Sequence, residues 1–366
     1  MQLTLKEQAY LASWQRILAQ RTSTAVDRLG QVPGVIGLLL AGSLARGEAW
    51  PLSDIDILPI YEDGQAEQAA REVEARRLEL LDSWMAEGHR TTLDVGVLAF
   101  GRAEVMHALA LPSHEATHKL GDLRWFHSLD KGYRSRAAFD PEGLAAALAQ
   151  WLTDARFTPQ VVRGRLESHW RQTQDRYVQA ATALNAGDPL TAALALLESL
   201  HALMRYLIEG WGGRDTSFSR FGTRLEHTAV AQGEAALMSE IMALCALSPD
   251  DVIRRMALAP QHVRDRHRLS LQARRLVGDV VTEGEDARDA LLVNSTREIR
   301  TRRVSYAAWV GLETDPTVLS KQLEAYSGVL ERAGGAVRGN KLQSASRLPS
   351  ASDRLGAPGV DAARAS

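Results

Sequence analysis

Asp54 immediately precedes the apolar run Ile55 to Ile60 and Asp56 lies within it, one residue between them. On an extended strand alternate side chains share a face, so the two carboxylates project together while Ile55 and Ile57 turn the other way. Side by side on a hydrophobic sheet they repel each other and lose hydration, a cost that a divalent cation between them removes. Oxygen donors of this kind suit Mg²⁺. Upstream, Gly42 permits a tight turn after a first apolar run, Val35 to Ala41, and Ser43 adds a hydroxyl and an N–H where a phosphate could be held. Ten residues separate Ser43 from Asp54, room for a short helical turn and a return strand. The pattern predicts strand, loop, strand, with a phosphate cradle facing a metal site.

The run GSLARGEAWPLSDIDI, residues 42–57, resembles the signature of the nucleotidyltransferase superfamily with the polymerase-beta-like fold. It looks most like the branch of small stand-alone and aminoglycoside nucleotidyltransferases. The likeness combines Gly42, Ser43, Arg46, Gly47, Ser53, Asp54 and Asp56 in order. The resemblance implies Mg²⁺-dependent transfer of a nucleoside monophosphate from an NTP, with ATP the default donor, to a hydroxyl of a small and possibly aminoglycoside-like acceptor. By the same resemblance Asp54 and Asp56 ligate the metals, and Asp94, the one acid in the run Thr91 to Phe100, completes the carboxylate set. Gly42, Ser43 and Ser53 belong to the nucleotide-binding turn, and Arg46 neutralises phosphate charge unless it merely pairs with Glu48. In the aminoglycoside-modifying relatives a glutamate of the helical domain serves as base. Glu198 is the candidate here, because LALLESLHALMRYL sets it in an otherwise apolar helix, where a carboxylate needs a cleft or a cation such as Arg205.

The elements that must position these residues follow from periodicity. A helix over residues 4–29 delivers the chain to the first strand, and Gln65 to Glu87, rich in Ala, Glu, Arg and Leu, forms a second. Thr91 to Phe100 reads as a β-branched strand. Residues 102–121 read as mostly helical, Leu123 to Ser128 (LRWFHS) as a further strand with His127 near the site, and Arg136 to Phe139 as another. Pro141 is expected at the first position of a helix that closes the domain near Thr153. Beyond Pro159 the text is helical: Arg163 to Leu184 and Pro189 to Trp211 form an antiparallel pair, followed by helices at 217–247, 249–258, 260–282, 285–311 and 315–333. Arg214, Ser217 and Arg220 lie in a loop that could touch nucleotide or acceptor, and Trp50 is an unusual bulk in the turn loop. The expected fold is α+β: a mixed-sheet catalytic domain over 1–153, a helical acceptor-binding domain over 154–333, and a Gly/Ala/Ser/Pro-rich tail over 334–366 that cannot bury enough apolar surface to fold.

With 24% charged and 45% hydrophobic residues and a net charge of -2, the chain shows no general attraction to nucleic acid or anionic membrane. Its one cysteine, Cys245, excludes an intramolecular disulfide and sits in an apolar run as a buried hydrophobe. The opening MQLTLKEQAY lacks signal-peptide regions and no apolar run approaches membrane-spanning length, so a cytoplasmic protein is expected. Two other classes stay open. Arginine runs at 262–268 and 297–303 would serve a toxin-like nucleotidyltransferase acting on RNA or protein, although their interspersed acids favour solvated faces. A non-catalytic scaffold is the third, against which the clustered acids argue. Oligomeric state is not legible.

Overall fold

The computed structural model describes residues 3–88, 91–214, 220–301 and 307–339. Ser217 and the chain beyond Gly339 lie outside them, as do the side chains of the 297–303 run after Arg297.

Helix α1 (Leu5–Gly30) begins with a reciprocal cap: Thr4 Oγ1 accepts from Glu7 N–H at 3.3 Å and a Glu7 carboxylate oxygen accepts from Thr4 N–H at 2.8 Å. It leads into β1 (Val35–Ala41), a single turn α2 (Gly42–Ala45), the loop, and β2 (Ile55–Tyr61). β1 and β2 pair antiparallel, and β5 (Arg136–Phe139) joins the other side of β1, also antiparallel. After the crossover helix α3 (Ala66–Ala86), β3 (Leu93–Val95) and β4 (Phe100–Gly101) both pair with β2 in parallel, β3 at its start and β4 at its end. The expected strand over Thr91 to Phe100 is therefore two short ones, parted where Gly96 takes φ +90°. The sheet, ordered β3-β2-β1-β5, is mixed as expected.

Both faces of the sheet are covered, which is why β1 and β2 read as nearly unbroken apolar runs. Leu38, Leu40, Ile55 and Ile57 enter a core with α1 and α3. Leu39, Ala41, Leu58 and Ile60 enter the opposite core with α4 (Arg102–Leu109), α5 (Leu123–Lys131) and α6 (Leu144–Arg156), alongside a 3-10 turn at Ser113–Lys119. Asp54 and Asp56 share the parity of Leu58 and Ile60. They thus take the α6 side, at the end of the strand where that core stops.

The expected strand Leu123 to Ser128 is a helix, and this is the main correction to the reading of the sequence. Asp122 caps α5, accepting from Arg124 N–H at 2.8 Å, and Trp125, Phe126 and Leu129 are buried at helical spacing. The aromatic, strand-favouring composition of so short a run yields to the cap and to packing against α6. A smaller correction concerns α6, which starts at Leu144 rather than Pro141: both oxygens of Asp140 accept backbone N–H groups, from Ala145 and Ala146, each at 2.9 Å. It runs to Arg156, so a division after residue 153 falls inside its last turn.

Among the described residues the C-terminal part is built of helices and their connections: α7 (Pro159–Asn185), α8 (Pro189–Gly210), α9 (Phe221–Ala231), α10 (Ala235–Leu244), α11 (Pro249–Leu258), α12 (Gln261–Leu276), α13 (Glu283–Thr301), α14 (Ala307–Val310) and α15 (Pro316–Gly339). α7 and α8 form the expected hairpin, turned at Gly187 (φ +77°) and stitched halfway by Ser199 Oγ donating to Thr173 O at 2.6 Å. The expected helix 217–247 is broken by a turn at Gly233 into α9 and α10. α8, contrary to the expectation, is long and apolar enough to cross a membrane by length and composition, but 78% of its most apolar window is buried among the neighbouring helices. It is the spine of the helical core, its Leu203 and Leu207 sharing one cluster with Phe221, Ile241 and Tyr326. α15 continues past Gly334, where a tail was expected, because Ala336 and Val337 still pack on that core.

Candidate active site

The parallel register of β2 with β3 sets Asp56 directly beside Asp94, with Asp54 one step nearer the mouth of the cleft. Asp56 is 6% exposed. The turn after β1 closes over it: at Gly42, where φ is +65°, an added Cβ would sit 1.8 Å from Asp56 Oδ2, so only glycine fits. Ser43 Oγ donates to Ser53 Oγ at 3.0 Å, and Ser53 Oγ also accepts from Trp50 N–H at 3.0 Å, which pins the loop to the start of β2. Gly42, Ser43, Ser53, Asp54, Asp56 and Asp94 all line one cleft of about 410 Å³.

Into this cleft, from the last turn of α5, comes Lys131, a residue that the strand reading of LRWFHS concealed. Its Nζ lies 2.7 Å from Asp56 Oδ1 and 3.4 Å from Asp94 Oδ2. The spacing of Trp125, Phe126 and Leu129 behind a capping aspartate was the signal that could have found it. Burial works against the Lys131 charge, but Asp56, Asp94 and Asp54 outweigh it and raise its pKa. Burial pushes Asp56 above the usual carboxylate range despite the lysine. Asp54, open to solvent at the lip yet crowded by protein, is also raised, first by lost hydration and then by the Asp56 charge.

Asp56 Oδ1 is buried, and its partner is the Lys131 ammonium at 2.7 Å. A buried carboxylate beside a second and third acid, already drawing one cation, is a donor set fit for a hard cation. Among the described residues no three acids or histidines stand close enough together to enclose a metal as arranged, and Lys131 is the cation that Asp56 and Asp94 hold.

The opposite wall is arginine. Arg46, its side chain 8% exposed, donates from Nε to Glu48 at 2.8 Å, and Arg214 reaches the same carboxylate at 3.3 Å, so the expected pairing of Arg46 with Glu48 is present at a residue that also lines the cleft. Burial opposes the Glu48 charge, but Arg214 and Arg46 bring its pKa below the usual range. Arg220 lies over the buried Trp50 ring at 4.9 Å. Arg205, Arg224 and, from the 262–268 run expected to face solvent, Arg266 complete the wall, and His127 lines it too.

Glu198 is not brought to the cleft. It lies on α8 in an ion pair with Arg176 of α7 (3.0 Å), with 39% of its side chain exposed, and its partner is not Arg205. The glutamate of α8 that does need cations is Glu209, 1% exposed. Arg156 donates to it from both Nη atoms (2.8 and 2.7 Å) and Arg165 from Nε (3.0 Å). The same two arginines clasp Asp130, the neighbour of Lys131, with Arg156 Nε at 2.6 Å and Arg165 from Nη2. Four helices, α5 to α8, are thereby locked behind Lys131.

Residues 20–101 match the family model described as Nucleotidyltransferase domain, a span that contains the Gly42–Ser43 turn and all three carboxylates. The sheet and its turn are therefore a nucleotidyltransferase domain, followed by a helical part, and the protein is an enzyme of that class. No curated protein and no solved structure matches the chain.

Proposed function

We propose that the protein transfers a nucleoside monophosphate from an NTP, with ATP the first donor to try, to a hydroxyl of a small molecule in the presence of Mg²⁺. The observation that carries this is the meeting, in one cleft, of Asp54, Asp56 and Asp94 with the Ser43 turn on one side and a cationic wall on the other. The acceptor oxygen forms a bond to the α-phosphorus, the bond from that phosphorus to the bridging oxygen breaks, and pyrophosphate leaves. With Glu198 outside the cleft, Asp94 is the carboxylate assigned to receive the hydroxyl proton. Asp54 and Asp56, with Asp94, would hold Mg²⁺, which when bound supplies charge neutralisation of the triphosphate. Ser43, Ser53 and Arg46 orient the departing phosphates, and Lys131 holds Asp56 and Asp94 until substrate arrives. A cytoplasmic location, where NTP and Mg²⁺ are abundant, belongs to this reading. So does a helical portion that receives the acceptor.

Incubation of wild-type protein with α-phosphate-labelled ATP, Mg²⁺ and a cell extract split by size tests the proposal, with the Asp54→Ala/Asp56→Ala variant as control. Label in small molecules with the wild type alone is the expected result. No difference from the variant, with the other NTPs also tried, would overturn it. The second reading, action on RNA or protein, is favoured by Arg266 reaching the cleft and would show as label in the large fraction.

A further inference from the structure

We propose that Lys131 keeps the aspartates closed to a divalent metal in the empty enzyme and yields them only when a nucleotide is bound, so that metal and NTP enter the cleft together. This rests on the nucleotidyl-transfer reading and adds to it the order in which the site fills. Lys131 is the last residue of α5, the end of a helix where a cation is favoured. The helix itself is fixed: its Asp130 is bonded by Arg156 and Arg165, and its Phe126 carbonyl accepts from Arg165 Nη1 at 2.7 Å. What is left to move is the four-carbon stem of the lysine, whose side chain is 35% exposed and lines the cleft. From there the ammonium takes one oxygen of each of two assigned ligands, Asp56 Oδ1 at 2.7 Å and Asp94 Oδ2 at 3.4 Å. Those two residues are direct partners in the parallel register of β2 and β3.

Asp56 Oδ1 is buried under that contact, and the Gly42 turn closes in on the other oxygen, where an added Cβ would lie 1.8 Å from Oδ2. With the ammonium 2.7 Å from Oδ1, a metal bound to the same oxygen at about 2.1 Å would stand within about 5 Å of it. Two like charges so near in a partly dewatered cleft repel strongly. The lysine and a metal therefore exclude each other at Asp56. The side chains as they stand agree, since among the described residues no three acids or histidines come close enough to enclose a metal. Without nucleotide the acids are the ion pairs that the ammonium makes. A triphosphate beside the Ser43 turn offers it other negative charge, and Asp56 and Asp94 are then released to the metal that accompanies the phosphates. A site empty of nucleotide thus holds its own counter-ion in place of a metal.

The test is equilibrium dialysis of the full chain against Mn²⁺, with and without a non-hydrolysable NTP analogue, reading the metal retained with protein. Wild type is expected to take up Mn²⁺ weakly alone and far more tightly with the analogue. Lys131→Met, with Lys131→Gln as a second variant that keeps a polar side chain, should bind Mn²⁺ without nucleotide about tenfold more tightly than wild type, the scale of one charge-assisted contact released. The gain from nucleotide should shrink by the same factor, because the two bindings are linked. Arg46→Gln removes a charge of the same cleft whose ion pair is with Glu48, and should change Mn²⁺ uptake without nucleotide far less. Wild type that binds Mn²⁺ equally well with and without the analogue overturns the proposal. So do lysine variants that bind it no more tightly than wild type, or an Arg46→Gln protein that gains as much as they do. Wild type that retains no Mn²⁺ in either condition and no analogue sinks the nucleotidyl-transfer reading itself, and the role of the lysine with it.

Discussion

Two charged clusters lie back to back in this molecule, joined through the adjacent residues Asp130 and Lys131. In the rear cluster two acids and two arginines, all nearly dry, satisfy one another with short directed bonds. In the cleft three acids stand close together with Lys131 as the cation of two of them, and among the described residues a buried guanidinium nitrogen of Arg214 has no hydrogen-bond partner. The residue types are the same in both. Access separates them: the rear cluster is closed on its own partners and acts as a brace, whereas the acids of the front cluster line an open cleft, where the proposed reaction would bring its ligands. Buried ion pairs are weak evidence of stability but costly to break. That is what a brace behind a lysine held in the cleft requires.

The sharpest way to break this contrast is at Asp56. Asp56→Asn should reduce transfer by about a thousandfold or more, as removal of a charge that engages the reacting phosphates does, while the melting temperature stays the same or rises, since a desolvated carboxylate is removed. A large fall in melting temperature would put Asp56 among the structural charges. Next in size, Glu209→Ala leaves Arg156 and Arg165 half-partnered in the interior and should cost about 3–5 kcal/mol of unfolding free energy, read by denaturant titration. Activity should fall with it as α5 loses its anchor. Full stability in that variant would end the claim of a brace.

pH sharpens the comparison because the two clusters respond with opposite sign. Asp54 and Asp56 have raised folded-state pKa values. Their contribution to stability is therefore greatest below the ordinary carboxylate range and is lost as pH rises through their folded values. Asp130 is lowered, the Arg156 and Arg165 charges outweighing its burial, so its contribution is present above the ordinary range and is lost as pH falls. In chelator, the stability gained by Asp56→Asn relative to wild type should grow from pH 4 to 7 (roughly the span above an unperturbed Asp). A gain that shrinks over that span would contradict the assignment. The smallest effect is expected at Glu198→Ala. Loss of a half-exposed ion pair should change stability by less than about 1 kcal/mol and leave turnover unaltered, and a large fall in turnover would return Glu198 to the mechanism.

Residues near one another in sequence were legible. Alternation on β2 set Asp54 and Asp56 on one face and the need for a tight turn fixed Gly42, while the family resemblance implied a third carboxylate on the next strand, whose one acid is Asp94. The helical character of the second half followed from its periodicity. The resemblance of one short run supplied the class, which the match over residues 20–101 bears out.

What the tertiary structure decided is which distant charges meet. Glu198 and Glu209 lie eleven residues apart on α8, about three turns and roughly 16 Å, so periodicity puts them on nearly the same face and cannot rank them. Axial position does: one faces Arg176 at the wet flank, the other the junction of four helices. The sequence does not bring Lys131 and Arg266 to the aspartates either: the first sits just past the end of a run read as a strand, the second in an arginine run read as a solvated face. Their roles arise only when α5 and α12 are folded toward the strand that bears the aspartates, because electrostatic partnership depends on distance in space and on the loss of water, and neither is written in the order of the residues.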